Sequence, residues 1–208
     1  MLDYQTVLTY LAILLGFVFI PGPAMLLTLA RASGSGARVG IATGLGIAVG
    51  DLLHTLMAVV GVSAIIMTSA VLFSVVKFLG AGYLIYLGIR AFIEKVDHGA
   101  VLASNQITSK VAFRQAVLAE VLNPKSALFF MAFLPHFVNP DNGFVALQLL
   151  ELGVLFVLVG LLGTVVVAFS AGWIGSLLRR NPAIARWQGK FVGSIYCLLG
   201  ARLAIQDK

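Results

Sequence analysis

Phe19-Ile20-Pro21-Gly22-Pro23-Ala24 lies near the far end of an uncharged run that extends from Tyr4 to Ala30. A run of that length can cross a bilayer, whose hydrocarbon core takes about 20 apolar residues of helix. Each proline removes a backbone donor and clashes with the preceding turn, and the glycine adds conformational freedom. Two prolines around a glycine therefore interrupt a helix inside the membrane. Backbone groups freed at that depth are tolerated only where protein or a watery cavity satisfies them. The break thus predicts a cavity, and the cavity predicts transport.

Composition agrees with the membrane reading. The 208 residues are 60% hydrophobic and 11% charged, with a mean hydropathy of +1.03, where a soluble domain carries about 25% charged residues. The net charge of +6 is what cytoplasmic loops of a polytopic protein produce, and no nucleic-acid partner is expected. Cys197 is the only cysteine, which excludes an intrachain disulfide, a CxxC redox pair and a thiolate metal cluster. No cofactor is expected. The N-terminus, Met1-Leu2-Asp3-Tyr4-Gln5, has no basic segment, and the apolar run is too long for a signal peptide. The first helix is therefore expected to be retained.

Six membrane helices are expected in one transmembrane domain, residues 1–208. They cover about Thr6–Ala30, Ile41–Thr68, Leu72–Ile93, Val111–Phe137, Leu147–Gly172 and Gln188–Ile205, with the fourth interrupted at Asn123-Pro124. Arg31–Arg38 and Arg179–Trp187 are basic loops, His136–Gly143 is a turn, and the polar stretch Glu94–Lys110 connects the halves. Six helices place ten Lys and Arg on one side (Arg31, Arg38, Arg90, Lys95, Lys110, Arg114, Arg179, Arg180, Arg186 and Lys190) and three on the other (Lys77, Arg202 and Lys208). This positive-inside bias puts both termini outside the cytoplasm.

The halves resemble each other. Lys77-Phe78-Leu79-Gly80-Ala81-Gly82-Tyr83 and Lys190-Phe191-Val192-Gly193-Ser194-Ile195-Tyr196 share K-F-x-G-x-x-Y at an offset of 113 residues. At the same offset, Gly50-Asp51 falls on Gly163-Thr164. The breaks correspond too, Gly22-Pro23 with Asn123-Pro124, at an offset of 101. Repeats of three helices, about 1–95 and 111–208, must insert with opposite orientation. Inverted repeats with one broken helix each are a mark of secondary transporters, with the site near the midplane.

Asp51 is the sharpest candidate. An acid in an apolar helix costs about 2.5–3.5 kcal/mol on insertion scales, so it must be paired, protonated or hydrated. It follows Gly46-x-x-x-Gly50, a spacing that permits close helix approach, and His54 lies on the same face. It is a candidate to bind a substrate amine or carry a proton, or else to bond a neighbouring helix. Glu120, Asn123, Pro124 and Lys125 cluster at the second break. Lys125 is a candidate carboxylate ligand and Asn123 a cap or a lining residue, although Glu120 and Lys125 could simply neutralise each other. The half-helix after Pro23 offers unpaired amides to a carboxylate. Tyr83, Tyr86 and Tyr196 could line a pocket or serve as packing and interface residues. Lys77, Arg90, Lys190 and Arg202 read as snorkelling anchors, His98 and His136 as loop residues, and Gly40, Gly44, Gly46 and Gly50 as packing positions.

Taken in order, Pro21-Gly22-Pro23, Gly46–Asp51, Lys77–Gly88, Asn123–Phe130 and Phe133-Leu134-Pro135-His136-Phe137 resemble the LysE/RhtB family of amino-acid exporters over nearly the whole chain. The family often has Gln at the position of His136. The resemblance implies six helices in the cytoplasmic membrane of a bacterium. It implies export of amino acids or close derivatives in exchange for protons, and it is compatible with a homodimer. It does not fix the substrate. The larger superfamily includes metal exporters, but their His- or acid-rich loops are absent from this sequence.

The expected mechanism is alternating access for a zwitterion, with the two breaks meeting at the site. Asp51 would bind the amine or carry the proton, with Glu120 as the second candidate. A channel or cation exporter would favour a ring of intramembrane acids, and a membrane redox carrier would need paired thiols. Replacing Pro21 and Pro23 together by Ala should leave membrane insertion intact and abolish transport. Undiminished export at normal membrane levels would contradict this reading of the break.

Overall fold

The computed structural model describes residues 2–19, 22–62, 70–93 and 107–180, with 190, 193, 194, 197, 198, 200, 201, 204 and 205. Pro21, the connection 94–106 with His98, the loop 181–189, Tyr196, Arg202 and Lys208 lie outside the described residues, as does the side chain of Lys77. Every described element is helical: α1 (Tyr4–Phe19), α2 (Pro23–Ser35), α3 (Ala37–Met57), α4 (Ala70–Ile93), α5 (Ser109–Val121), α6 (Pro124–Leu128) and α7 (Val145–Arg180).

Local chemistry sets these boundaries. Asp3 Oδ1 accepts the Thr6 amide at 2.8 Å and Oδ2 accepts its hydroxyl at 2.8 Å, capping α1. The amide, then the hydroxyl, holds the exposed Asp3 carboxyl below its ordinary value. Pro23 and Pro124 each open a helix, where a missing N–H costs nothing. Gly36 closes α2 at φ +88°, a conformation suited to glycine, and turns the chain directly into α3. Thr108 Oγ1 accepts the Val111 amide at the start of α5.

α3 with its continuation to Gly61, and α7 from Val145 to Trp173, are each long and apolar enough to cross a membrane. α1 and α2 meet at a bend of 52°, and α5 meets Pro124–Phe137 at 45°; each pair passes the same test as one broken span. Three expectations need correction. The expected basic loop Arg31–Arg38 is helical on both sides of Gly36, which alone makes the turn. The helix expected over Leu147–Gly172 runs from Val145 to Arg180, taking in Arg179 and Arg180 of the expected loop. No helix breaker occurs before Asn181-Pro182. Beyond Leu128 the helix expected to reach Phe137 becomes a π turn (Phe129–Phe133) and a 3₁₀ turn (Leu134–Phe137). Pro135 cannot donate the next helical bond, and its ring crowds the preceding turn.

α3 is the central helix, packed on α2, α5 and α7. Its glycines face protein, and Leu45, Leu52, Leu53, Leu56 and Met57 face outward. This inside-out pattern suits a bilayer, where lipid tails solvate leucine and close packing of small residues drives association. A Cβ at Gly40 would fall 2.6 Å from Ala32 Cβ, one at Gly44 2.5 Å from Thr164 Oγ1, and one at Gly50 2.5 Å from Glu120 Cβ. Along α7, Val154, Leu158, Leu162, Val166, Phe169 and Trp173 form an exposed stripe at helical spacing. On the inner side, Phe17, Phe129, Phe130, Phe133 and Phe156 make an aromatic cluster, with Phe17–Phe129 centroids 4.4 Å apart and Phe129–Phe156 4.9 Å apart. The Tyr10 hydroxyl donates to the Leu152 carbonyl at 3.0 Å and pins α1 to α7.

The packing makes a direct test. Gly46→Ala would place a methyl 2.8 Å from Ala116 Cβ and closer still to the Phe113 carbonyl, whereas Gly172 has open space around it. Gly46→Ala should lose about 1–3 kcal/mol, and Gly172→Ala should be neutral or slightly stabilising. Melting of both purified variants in detergent checks this. Equal melting temperatures would contradict the proposed α3–α5 contact.

Candidate functional site

The two breaks meet through Lys125. Its Nζ lies where a side chain on Gly22 would be, 2.8 Å from an ideal Cβ there, and 4.1 Å from the centre of the Phe17 ring. Only a residue without a side chain lets the lysine of the second break reach the first. The cation rests over an aromatic face, an arrangement worth about 2 kcal/mol or more when desolvated.

Beside this contact is a cavity of about 60 Å³, space for a few water molecules. One wall is polar, with Asp51, Glu120, Asn123, Lys125, Ser126 and Thr164. The other is apolar, with Phe17, Val18, Met25, Ile47 and Phe156. Asp51, Glu120 and Lys125 are exposed by only 3%, 2% and 9%. Desolvation costs each charge several kcal/mol, so the three are tolerated through mutual pairing and hydrogen bonds.

The second break holds Glu120. Asn123 caps α6, its Oδ1 accepting the Lys125 amide at 3.0 Å. Its Nδ2 donates to Glu120 Oε1 and Oε2 at 3.1 and 3.3 Å. The Ser126 hydroxyl donates to Oε1. Both carboxyl oxygens of Glu120 therefore receive donors from across the break. The Glu120 carbonyl, freed by the end of α5, accepts the Asn123 amide at 3.0 Å and His54 Nε2–H at 2.9 Å. Acceptance by a carbonyl identifies the imidazole tautomer that carries its proton on Nε2. The ring stacks on Phe130, with centroids 5.7 Å apart.

Asp51 is held differently. Its carboxyl meets that of Glu120 at hydrogen-bonding range. Its Oδ1 is buried and has no hydrogen-bond partner among the described residues. Gly160 of α7 faces Oδ2, and a Cβ added there would still be 3.8 Å away.

Of the residues singled out from sequence, Gly22, Asp51, Glu120, Asn123 and Lys125 line the cavity. Pro23 and Pro124 are exposed first residues of their helices and shape the breaks. His54 sits behind the wall, on the Glu120 carbonyl. Tyr83 is not among the lining residues; it is half-buried on α4, its ring 5.8 Å from that of Tyr86. α4 instead packs against the Phe129–Phe133 turn. Sequence reading missed Phe17, Ser126, Phe156 and Thr164. Thr164 had a signal, since it occupies the repeat position of Asp51. Ser126 lies one turn beyond the Asn123 cap. The two phenylalanines stand in apolar runs that offer no mark.

Comparison with known proteins agrees with this architecture. An uncharacterized membrane protein of Pseudomonas aeruginosa is 32% identical over 198 residues, covering 91% of this chain and 92% of the relative. The uncharacterized membrane protein YrhP of Bacillus subtilis is 34% identical over 167 residues, covering 76% and 79%. A leucine efflux protein of Salmonella typhimurium is 27% identical over 202 residues, covering 95% of each chain. No solved structure matches the chain. Residues 15–207 match the LysE type translocator family, and with near-complete coverage the chain belongs to that family of membrane transport proteins.

Proposed function

We propose that this protein exports zwitterionic amino acids with apolar side chains by alternating access, coupled to proton entry, in a bacterial cytoplasmic membrane. The observation that carries the reading is Lys125 of the second break resting against Gly22 of the first, beside two buried carboxyl groups. An α-carboxylate binds Lys125 and the amino end of α2, where Ala24 and Met25 reach the cavity. The ammonium group binds the Asp51–Glu120 pair. The side chain lies against Phe17, Ile47 and Phe156. The leucine efflux relatives support that class of side chain.

The architecture in this reading is two inverted three-helix repeats, with both termini outside the cytoplasm. The close approach of α4 to the last described residues supports it: a Cβ at Gly88 would fall 2.9 Å from the Gly193 carbonyl. These two segments carry the paired K-F-x-G-x-x-Y motifs. The cavity is small, and it widens for an amino acid when Lys125 leaves Gly22 and Phe17. Substrate carboxylate competes for the lysine that joins the broken helices, which links binding to separation of the halves.

Cells supplied with leucine-containing dipeptides should export more leucine when they carry the protein. Vesicles holding it should show accelerated leucine exchange, which a channel does not. Lys125→Met should weaken leucine exchange by about tenfold to a hundredfold, from the loss of about 1.5–3 kcal/mol in a charge-assisted bond. An unchanged exchange constant in that variant would contradict the role of Lys125.

A further inference from the structure

We infer that the two buried carboxyl groups have separate tasks: Asp51 is the exchangeable proton carrier, and Glu120 is a fixed counter-ion to Lys125. The inference rests on the amino-acid transport reading above and identifies which acid couples it to protons.

Hydrogen-bond valence separates the two acids. An ionised carboxylate only accepts, so two carboxyls in contact must share a proton. Asp51 and Glu120 are in contact. Glu120 Oε1 already accepts from Asn123 and Ser126, and Oε2 from Asn123. That is the environment of the ionised partner. Asp51 Oδ1, buried at the cavity wall, has no donor among the described residues. The shared proton therefore belongs to Asp51, whose O–H points to Glu120. The Asp51 oxygen that does not meet Glu120 remains as the acceptor for an incoming ammonium.

The surrounding charges agree with a single mobile proton. Facing Asp51 are Glu120 from α5, Lys125 from α6 and the Tyr10 phenol from α1. His54 on its own helix is committed to the Glu120 carbonyl. α2 and α7 line the cavity with no titratable group. Empty, the site is neutral: protonated Asp51, ionised Glu120 and Lys125 ammonium. When a zwitterion binds, its ammonium takes the Asp51 oxygen turned away from Glu120 and Asp51 releases its proton to water. The loaded site, Lys125 included, carries one net negative charge, offset by the amino end of α2. Glu120 stays ionised throughout and keeps Lys125 in place until substrate carboxylate arrives.

The test is proton release on leucine binding, followed with a pH dye in weakly buffered detergent solution of the full-length protein. The wild-type protein should release about one proton per leucine bound. In the range where Asp51 is protonated, its Kd should fall about tenfold per unit rise in pH. Asp51→Asn should bind more weakly, release no proton and lose the pH dependence. Glu120→Gln, which removes the carboxyl that shares the proton with Asp51, should release less than one proton per leucine. Leucine binding without release by the wild-type protein would overturn the assignment and leave the transport reading standing. Release retained in Asp51→Asn would transfer the role to Glu120. The wild-type and Asp51→Asn counts together decide the matter even if Glu120→Gln fails to fold. Absence of binding by leucine, isoleucine and methionine alike would remove the amino-acid reading and this assignment with it.

Discussion

A lysine and two carboxyl groups share one small space inside an apolar protein, and the structure is arranged so that this space exists. None of the three can be buried alone, since an isolated ion in a medium of low dielectric loses several kcal/mol of hydration. The chain meets that demand by interrupting two helices at the same place. The first break presents a glycine that leaves room for Lys125. The second presents Asn123 and Ser126, which clamp Glu120. Pro23 and Pro124 are exposed, so their contribution lies in the backbone they redirect.

The same logic explains the packing around the cluster. α3 brings Asp51 to the cavity because its glycines allow α2, α5 and α7 to approach within contact of its backbone. Gly50 is adjacent to Asp51 and opposite Glu120, so the close approach and the carboxyl pair are one feature. Leucines on α3 face outward, where lipid is as good a solvent for them as protein. Phe17 of α1 and Phe156 of α7 line the cavity and pack against Phe129 behind it.

Much of this was legible in the sequence, for identifiable reasons. Intramembrane charge is rare, so Asp51, Glu120 and Lys125 stood out. Proline and glycine marked the breaks. Long apolar runs predicted the all-helical, membrane-spanning class. Partner choice within the cluster was not legible. His54 looked like a neighbour of Asp51 by helical spacing, yet it serves the carbonyl left free where α5 ends. Tyr83 could have lined a pocket or served as a packing residue, and α4 meets the aromatic turn instead. Phe17 and Phe156 carry no signal in an apolar run, because which phenylalanine meets the cavity depends on helix rotation. The length of α7 followed from the absence of a breaker before Asn181-Pro182, which a reading based on hydropathy overlooked.

The central claim is that the crossing of the two broken helices is the transport site. An experimental structure of the protein saturated with leucine tests it most directly. The account predicts leucine density between Lys125 and Asp51, with the carboxylate toward Lys125 and the side chain against Phe17 and Phe156. Leucine bound elsewhere, with Lys125 still seated against Gly22, would contradict it.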